Sequence, residues 1–354
     1  MALELKDISK RVGSETHIYP TSLTLERGSF NILLGTTLAG KTTLMQLMAG
    51  LERPTIGRIL FDGQDVTDVS VQRRNVSMVY QQFINYPNFN VYENIASPLR
   101  VAGMADSEIK RRITDVAELL KLTPMLDRKP SELSGGQQQR TAMARALVKD
   151  SDLVLLDEPL ANLDFKLREE LREELPRLFA DRNCVVVYAT TEPTEALLFG
   201  GHTATLHEGR VTQFGSTGEI YREPQDLLSA KVFSEPPINT APLVKDGTRF
   251  RFGEALSWAV PARLKQAPDG NYTLGLRPHH VTPQKNKRND VAVSGEVMVT
   301  ELSGSESVVH MDVGGNTWIS LSHGIHPHEV GEKATFFADM SSAFYFAEDG
   351  SRAA

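Results

Sequence analysis

The sequence predicts an α/β domain with a mostly parallel sheet covered on both faces, interrupted by a helical segment and followed by a small all-β barrel or sandwich. Three observations carry this reading. Apolar runs such as Ile32-Leu33-Leu34, Leu153-Val154-Leu155-Leu156 and Val185-Val186-Val187 are continuous rather than alternating, as strands buried on both faces are. Helical patterns separate them, in the order of strand–helix–strand units. Beyond the proline-rich stretch Ser234–Pro242, short strands broken by turns replace helical periodicity.

Taken in order, Leu3 to Leu25 alternates weakly and reads as an antiparallel ribbon closed at Arg27-Gly28. Asn31–Leu34 is a core strand, Ile59–Phe61 a strand before the Asp62-Gly63 turn, and Val76–Tyr80 a strand ending at Gln81. From about 83 to 149 the texture is helical, and Asp106 or Ser107 is a candidate cap for a helix with Ile109, Ile113, Val116 and Leu120 on one face. Leu167, Leu171, Leu175 and Leu178 form the inner stripe of a later charged helix. Strands are expected at Arg249 to Phe252, Tyr272 to Leu276, Val297 to Leu302, Val308 to Val313, Thr317 to Leu321 and Thr335 to Phe337. The expected division is 1–235 and 236–354.

Composition narrows the function. A net charge of −7 over 354 residues argues against a nonspecific nucleic-acid binder, so no nucleic-acid partner is expected. The single Cys184 lies in an apolar run and reads as a small buried hydrophobe, in a chain suited to a reducing compartment. The charged opening Met1–Asp7 is unlike a signal peptide, and no apolar run is long enough to span a bilayer. Any membrane role is expected to come through a partner.

The chemistry concentrates in Gly35-Thr36-Thr37-Leu38-Ala39-Gly40-Lys41-Thr42-Thr43, which fits G-x-x-x-x-G-K-[ST] between a strand and a helix. Glycines let backbone N–H groups close on phosphate oxygens, and the helix start adds the positive end of its dipole. Lys41 is the candidate for the β- and γ-phosphates of ATP, and Thr42 for Mg²⁺. Asp157, closing an apolar strand, is a candidate Mg²⁺ ligand, and the adjacent Glu158 a candidate general base. Each motif alone matches ordinary turns; together they specify a phosphate-loop NTPase.

Leu133-Ser134-Gly135-Gly136-Gln137-Gln138-Gln139-Arg140 is more specific still. Ser134 and Gln137 have the spacing of a capping box, and Gly135 and Gly136 leave room for a phosphate at the helix end. This string resembles the signature of the ATP-binding cassette ATPases, and the resemblance runs through the first two-thirds of the chain. It implies that two such domains sandwich two ATPs, each signature completing the partner's site. It also implies that Gln81 ligates Mg²⁺ and water and reports to a transmembrane permease, and that Ala161-Asn162-Leu163-Asp164 contacts the opposing subunit. Tyr86 to Ile95 looks like the stretch of importer ATPases that docks a coupling helix, although its aromatics also suit a plain core. Leu276-Arg277-Pro278-His279-His280-Val281 resembles the mark of the regulatory β-domain of importers for sugars, polyols and sugar phosphates, with His279 replacing the usual acid. The paired histidines suggest a metal, but no further ligand constellation accompanies them, and a surface loop is the preferred reading.

The sequence departs from the family at two functional positions. The adenine-stacking aromatic falls near Val12, with Tyr19 as a substitute. Thr191 stands where the family has its switch histidine, and a threonine hydroxyl is shorter and never cationic. Lys41, Asp157 and Glu158 argue that the site still works. The expected function is the Mg-ATP-hydrolysing subunit of an importer for a carbohydrate, glycerol-like polyol or sugar phosphate, peripheral to the cytoplasmic face of the membrane. Its expected partners are permease subunits, a second ATPase subunit (the same chain or a different one) and, indirectly, a solute-binding protein. An importer of the same build for a polyamine or inorganic ion is the alternative. A soluble cassette protein of translation or repair lacks its second cassette or coiled coil here, and a regulatory ATP holder conflicts with Glu158.

Overall fold

The computed structural model describes residues 2–180, 182–253 and 256–353. The chain forms two compact units that break between Gly218 and Glu219. In the first, β1 (Ala2–Val12) pairs antiparallel with β2 (Glu15–Glu26), Leu3 opposite Leu25 and Leu5 opposite Leu23. Next come β3 (Phe30–Gly35), α1 (Lys41–Ala49), β4 (Ile56–Phe61), β5 (Gln64–Asp65) and β6 (Val76–Val79). The helical stretch holds α2 (Val91–Val101), α3 (Asp106–Leu119) and α4 (Gly135–Leu147). Neither Asp106 nor Ser107 caps α3. Ala105 holds that position without a side-chain bond, and Asp106 and Glu108 serve the first turn only as charges. The unit continues with β7 (Leu153–Asp157), α5 (Phe165–Ala180), β8 (Val185–Thr190), α6 (Pro193–Phe199), β9 (His202–His207) and β10 (Arg210–Ser216).

Two sheets result, β2-β1-β4-β5 and β10-β9-β3-β8-β7-β6, and the second is parallel from β9 through β6. Every residue of β3, β7 and β8 is buried, which explains their continuous apolar runs. Helix α1 packs Leu44, Leu47 and Met48 against Leu3 and Leu5 of the ribbon and Leu33 and Val187 of the parallel sheet. Each fully buried leucine there contributes on the order of 2 kcal/mol. On the opposite face, Leu167, Leu171, Leu175 and Phe179 of α5 are buried, with Phe179 edge-on to Phe30 at 5.8 Å.

The second unit begins with helical turns and α8 (Leu227–Val232), numbered after α7 (Thr217–Arg222), which spans the break. Its strands are β11 (Asn239–Asp246), β12 (Arg249–Phe252), β13 (Leu256–Ala259), β14 (Gly270–Leu276), β15 (Val281–Thr282), β16 (Val291–Leu302), β17 (Glu306–Val313), β18 (Asn316–His323), β19 (Lys333–Ala338) and β20 (Phe344–Phe346). They form the sheets β13-β12-β11-β14-β20 and β15-β19-β16-β17-β18 around one core centred on Phe250, Trp318 and Phe336. Trp318 Nε1 donates to Thr240 O at 3.2 Å and Asn239 Nδ2 to Ile319 O at 2.8 Å, joining the sheets.

Two expectations shift here. The proline-rich stretch, which reads from the sequence as a linker, is strand over Asn239–Pro242, because Pro242 lies where β11 pairs with β14 alone and β12 joins only from Val244, so its missing N–H breaks no second ladder. The break between units also comes before the proline-rich stretch: Leu227 and Ala230 of α8 pack on Ile238, Phe344 and Phe346.

Candidate active site

Parallel pairing sets the carboxyl ends of four strands side by side. Leu34 lies opposite Thr190, Asp157 opposite Ala189, and Val79 opposite Leu156. The phosphate-type loop after β3, the Asp157-Glu158 pair after β7, Thr191 after β8 and Gln81 beyond β6 therefore share one sheet edge, where α/β folds bind ligands.

The loop turns into α1 at Gly40, whose φ of 100° belongs to glycine. No side chain caps α1, so its first N–H groups are open to water or a ligand. Lys41 is 5% exposed, and its ammonium donates to Gly35 O at 2.8 Å and Thr36 O at 3.0 Å. It also faces Glu158 Oε1 at 3.2 Å. Gln81 Nε2 donates to Glu158 Oε2 at 3.1 Å. Thr42 Oγ1 donates to Asp157 Oδ2 at 2.6 Å. Burial raises the pKa of Asp157, with Glu158 adding to the rise and the Thr42 bond and Lys41 opposing it. Glu158 has a φ of 46°, a left-handed turn braced by its N–H to Ala189 O at 3.0 Å. Lys41, Thr42, Asp157, Glu158 and Gln81 thus converge as expected.

A cleft of about 510 Å³ opens over them, lined by Thr37 to Thr43, Gln81 and Glu158, and walled by Glu15, Thr16, His17, Glu208 and Gly209. Neither Val12 nor Tyr19 is in that wall. Val12 is 52% exposed, and the Tyr19 ring is covered by the Arg210 guanidinium, 3.4 Å from its centroid. The imidazole in the wall is His17, which the sequence reading missed. Between Ile8 and Arg11 the extra residues of the register shifts fall in β2, where His17 lies between Ile18 opposite Lys10 and Thr16 opposite Arg11, so neither a gap-free count nor simple alternation places it.

The other candidates lie apart from this cleft. Ser134 caps α4: its Oγ accepts from Gln137 N at 3.3 Å, and Gln137 Oε1 accepts from Ser134 N at 2.9 Å. Ser134, Gly135, Gly136 and Gln137 are absent from the cleft lining, and a side chain at Gly135 would meet nothing nearer than Phe83 Cζ at 3.9 Å. Thr191 is exposed at the shared sheet edge but also outside the lining. The stretch after Gln81 splits its roles: Val91 and Ile95 are buried, whereas Tyr86 is 50% and Phe89 39% exposed.

Comparison with known proteins agrees with this geometry. Residues 18–161 match the ABC transporter family and residues 274–346 the TOBE domain. The chain is 35% identical over 347 residues to the sn-glycerol-3-phosphate import ATP-binding protein UgpC of Pectobacterium atrosepticum, covering 97% of each. It is 37% identical over 318 residues to the xylose/arabinose import ATP-binding protein XacK of Haloferax volcanii, covering 87% of this chain and 82% of that one. The solved dimeric, post-hydrolysis state of the ATP-binding cassette MJ0796 bound to ADP and Pi superposes with a TM-score of 0.57 and 28% identity, over 61% of this chain and 98% of that one. With its nearly full-length similarity to the glycerol-phosphate protein, its sheet edge and its capped signature helix, this chain belongs to the ATP-binding cassette ATPases.

Proposed function

We propose that this chain is the ATP-hydrolysing subunit of an importer for a carbohydrate, glycerol-like polyol or sugar phosphate. The observation that carries the reading is a likeness spanning 97% of both chains, second unit included, to a glycerol-phosphate import protein. Import of a polyamine or inorganic ion by the same build is the alternative.

In this reading, the residues 35–43 wrap the ATP phosphates, and Lys41 exchanges Glu158 for the β- and γ-phosphates. That exchange frees Glu158 to take the proton of an attacking water, with Gln81 steering its carboxylate. Thr42, Asp157 and Gln81 are hard oxygen donors around one spot, a set that fits Mg²⁺ sharing its remaining ligands with phosphate and water. When bound, Mg²⁺ neutralises the charge developing on the phosphates. Thr191 is a short switch, and His17 is the ring nearest to hand for the base. Ser134 to Gln137 are absent from the lining of this cleft, which supports their acting on the ATP of a second ATPase subunit.

The division into an ATPase region of 1–235 and a β-domain of 236–354 is best redrawn near residue 218. For the permease, a groove of about 370 Å³ lined by Met78, Tyr86, Pro98, Val101 and Arg145 is the docking candidate, with Ile84 63% exposed beside it. None of the helices among the described residues is long and apolar enough to cross a membrane, so attachment to the cytoplasmic face rests on that contact. Purifying the tagged chain from its native membranes tests the reading. Multi-spanning permease chains should co-purify, and their ATP hydrolysis should rise with a solute-loaded binding protein. Recovery without any membrane protein would overturn it.

A further inference from the structure

We propose that Arg168 is a positioning residue that makes the turn carrying Thr191 and the loop Ala161–Asp164 move as one piece. The proposal deepens the reading of this edge as an ATP-hydrolysing half-site and rests on it. Arg168 stands in the first turn of α5, and its guanidinium spans the two loops. Its Nη1 meets Glu192 Oε1 at 3.0 Å and its Nη2 donates to Ala161 O at 3.0 Å. Glu192 directly follows Thr191, and its N–H donates to Thr190 Oγ1 at 3.0 Å. At the far end of the other loop, Asp164 Oδ1 accepts from Leu167 N at 3.0 Å. The loop is therefore tied to α5 at both ends, by a cap at one and by Arg168 at the other.

A deeper cluster holds the strand end still. Glu195 is 4% exposed and accepts from Tyr188 Oη at 2.9 Å and Thr190 Oγ1 at 2.7 Å, with Arg172 Nη2 at 3.2 Å. Burial, then Glu195, raises the Tyr188 hydroxyl well above its ordinary pKa, so it remains a donor. Arg172 also pairs with Glu192. A buried carboxylate satisfied from three sides is a fixed point. Arg168 lies one turn nearer the loop and is 24% exposed, and it makes the link between that fixed point and the loop. The planar fork is what the link needs, because one guanidinium holds a carboxylate and a carbonyl at once while an ammonium is a single point charge. A threonine at the switch position makes such a link more important, since its short hydroxyl meets a phosphate only if the turn is held in place.

A double-mutant cycle on the full chain tests this, using Arg168→Ala, Glu192→Gln and the pair, read by backbone amide exchange and by ATP hydrolysis. Exchange in 159–164 and 189–192 should accelerate together by about tenfold in either single variant. The pair should be no faster than the singles, as expected of one shared interaction. The kcat should fall by about tenfold with KM for ATP within about twofold. Arg168→Lys, which keeps the charge, should restore neither quantity. Acceleration confined to one segment, or additive effects in the pair, overturns the coupling whether or not the chain hydrolyses ATP. Coupled exchange with kcat at the parental value overturns the role in turnover. Coupled exchange in a parent chain that hydrolyses no ATP leaves the link standing and removes the ATPase reading instead.

Discussion

The starts of α1 and α4 both lie beside glycines, yet they are finished in opposite ways. Helix α1 begins at a left-handed Gly40 with no side-chain cap, under a cleft and beside a buried ammonium. Helix α4 begins at an exposed Ser134 with a complete capping box, and a Cβ at Gly135 would meet nothing nearer than Phe83 at 3.9 Å. An uncapped start leaves its first donors to water or to a ligand. A capped start is stable by itself and keeps only its dipole to offer. In the proposed reading the first is a binding site, and the second is a surface that completes a site brought to it. In that reading the chain carries two halves of one chemistry, and Ser134 to Gln137 are absent from the lining of its own cleft.

That contrast is tested most severely at α1. Glu158→Gln should lower kcat by about 10²–10⁴-fold while ATP binding stays within about threefold, because the amide cannot take the proton of water. ATP should then hold two copies together, seen as a doubled mass in light scattering. Hydrolysis at the parental rate would move the base elsewhere. Lys41→Ala should weaken ATP binding by about a hundredfold, the value of roughly 3 kcal/mol for a charged hydrogen-bonding group lost from a buried site. Binding unchanged by calorimetry would end the phosphate-loop assignment.

At α4 the expectation is reversed. Gly135→Leu should leave the fold and single-chain ATP binding intact, since an added Cβ there meets only Phe83 Cζ, at 3.9 Å, an ordinary contact. Hydrolysis by the dimer should be lost. Mixed dimers then separate the halves. A Lys41→Ala chain paired with a Gly135→Leu chain keeps one whole site and should retain about half of the parental rate if the sites act independently. Placing both changes on one chain, opposite a parental partner, breaks both sites. If the signature instead served its own chain, the outcome would be reversed, with about half of the rate kept when both changes share one chain and none when they are split.

The parts legible in the sequence are those where chemistry and backbone are contiguous. Gly35 to Thr43, Asp157-Glu158 and Ser134 to Gln137 each sit on one strand–turn or turn–helix, so spacing alone fixes their geometry. His17 is hidden because it is an extra residue of β2, between Ile18 opposite Lys10 and Thr16 opposite Arg11, and local alternation does not register such a bulge. Arg168 looked like one more charge on a solvated helix face; its partners are 7 and 24 residues away, across loops whose approach only the fold determines. The strand β11 was obscured by Pro242, whose tolerance depends on which neighbour is missing.

The smallest expected effect is the most informative about Thr191. It follows a strand whose Thr190 is level with Leu34, one residue before the phosphate loop, so a longer side chain there starts from the reactive edge. Thr191→His adds a reach that threonine lacks and a group able to carry charge near neutral pH. The kcat should rise by about threefold to tenfold, with KM little changed, if the native switch is weak. In a symmetric pair of this chain both sites gain, and Gly135→Leu and Glu158→Gln are equally damaging. In an assembly with a different ATPase only one site gains, the total rises less, and Gly135→Leu does the greater harm because it disables the partner's stronger site. The gain also requires the turn to be held, so Arg168→Ala should erase it. A Thr191→His chain that turns over no faster than its parent would show that the edge is tuned to threonine, with the turn's bracing rather than its reach setting the rate.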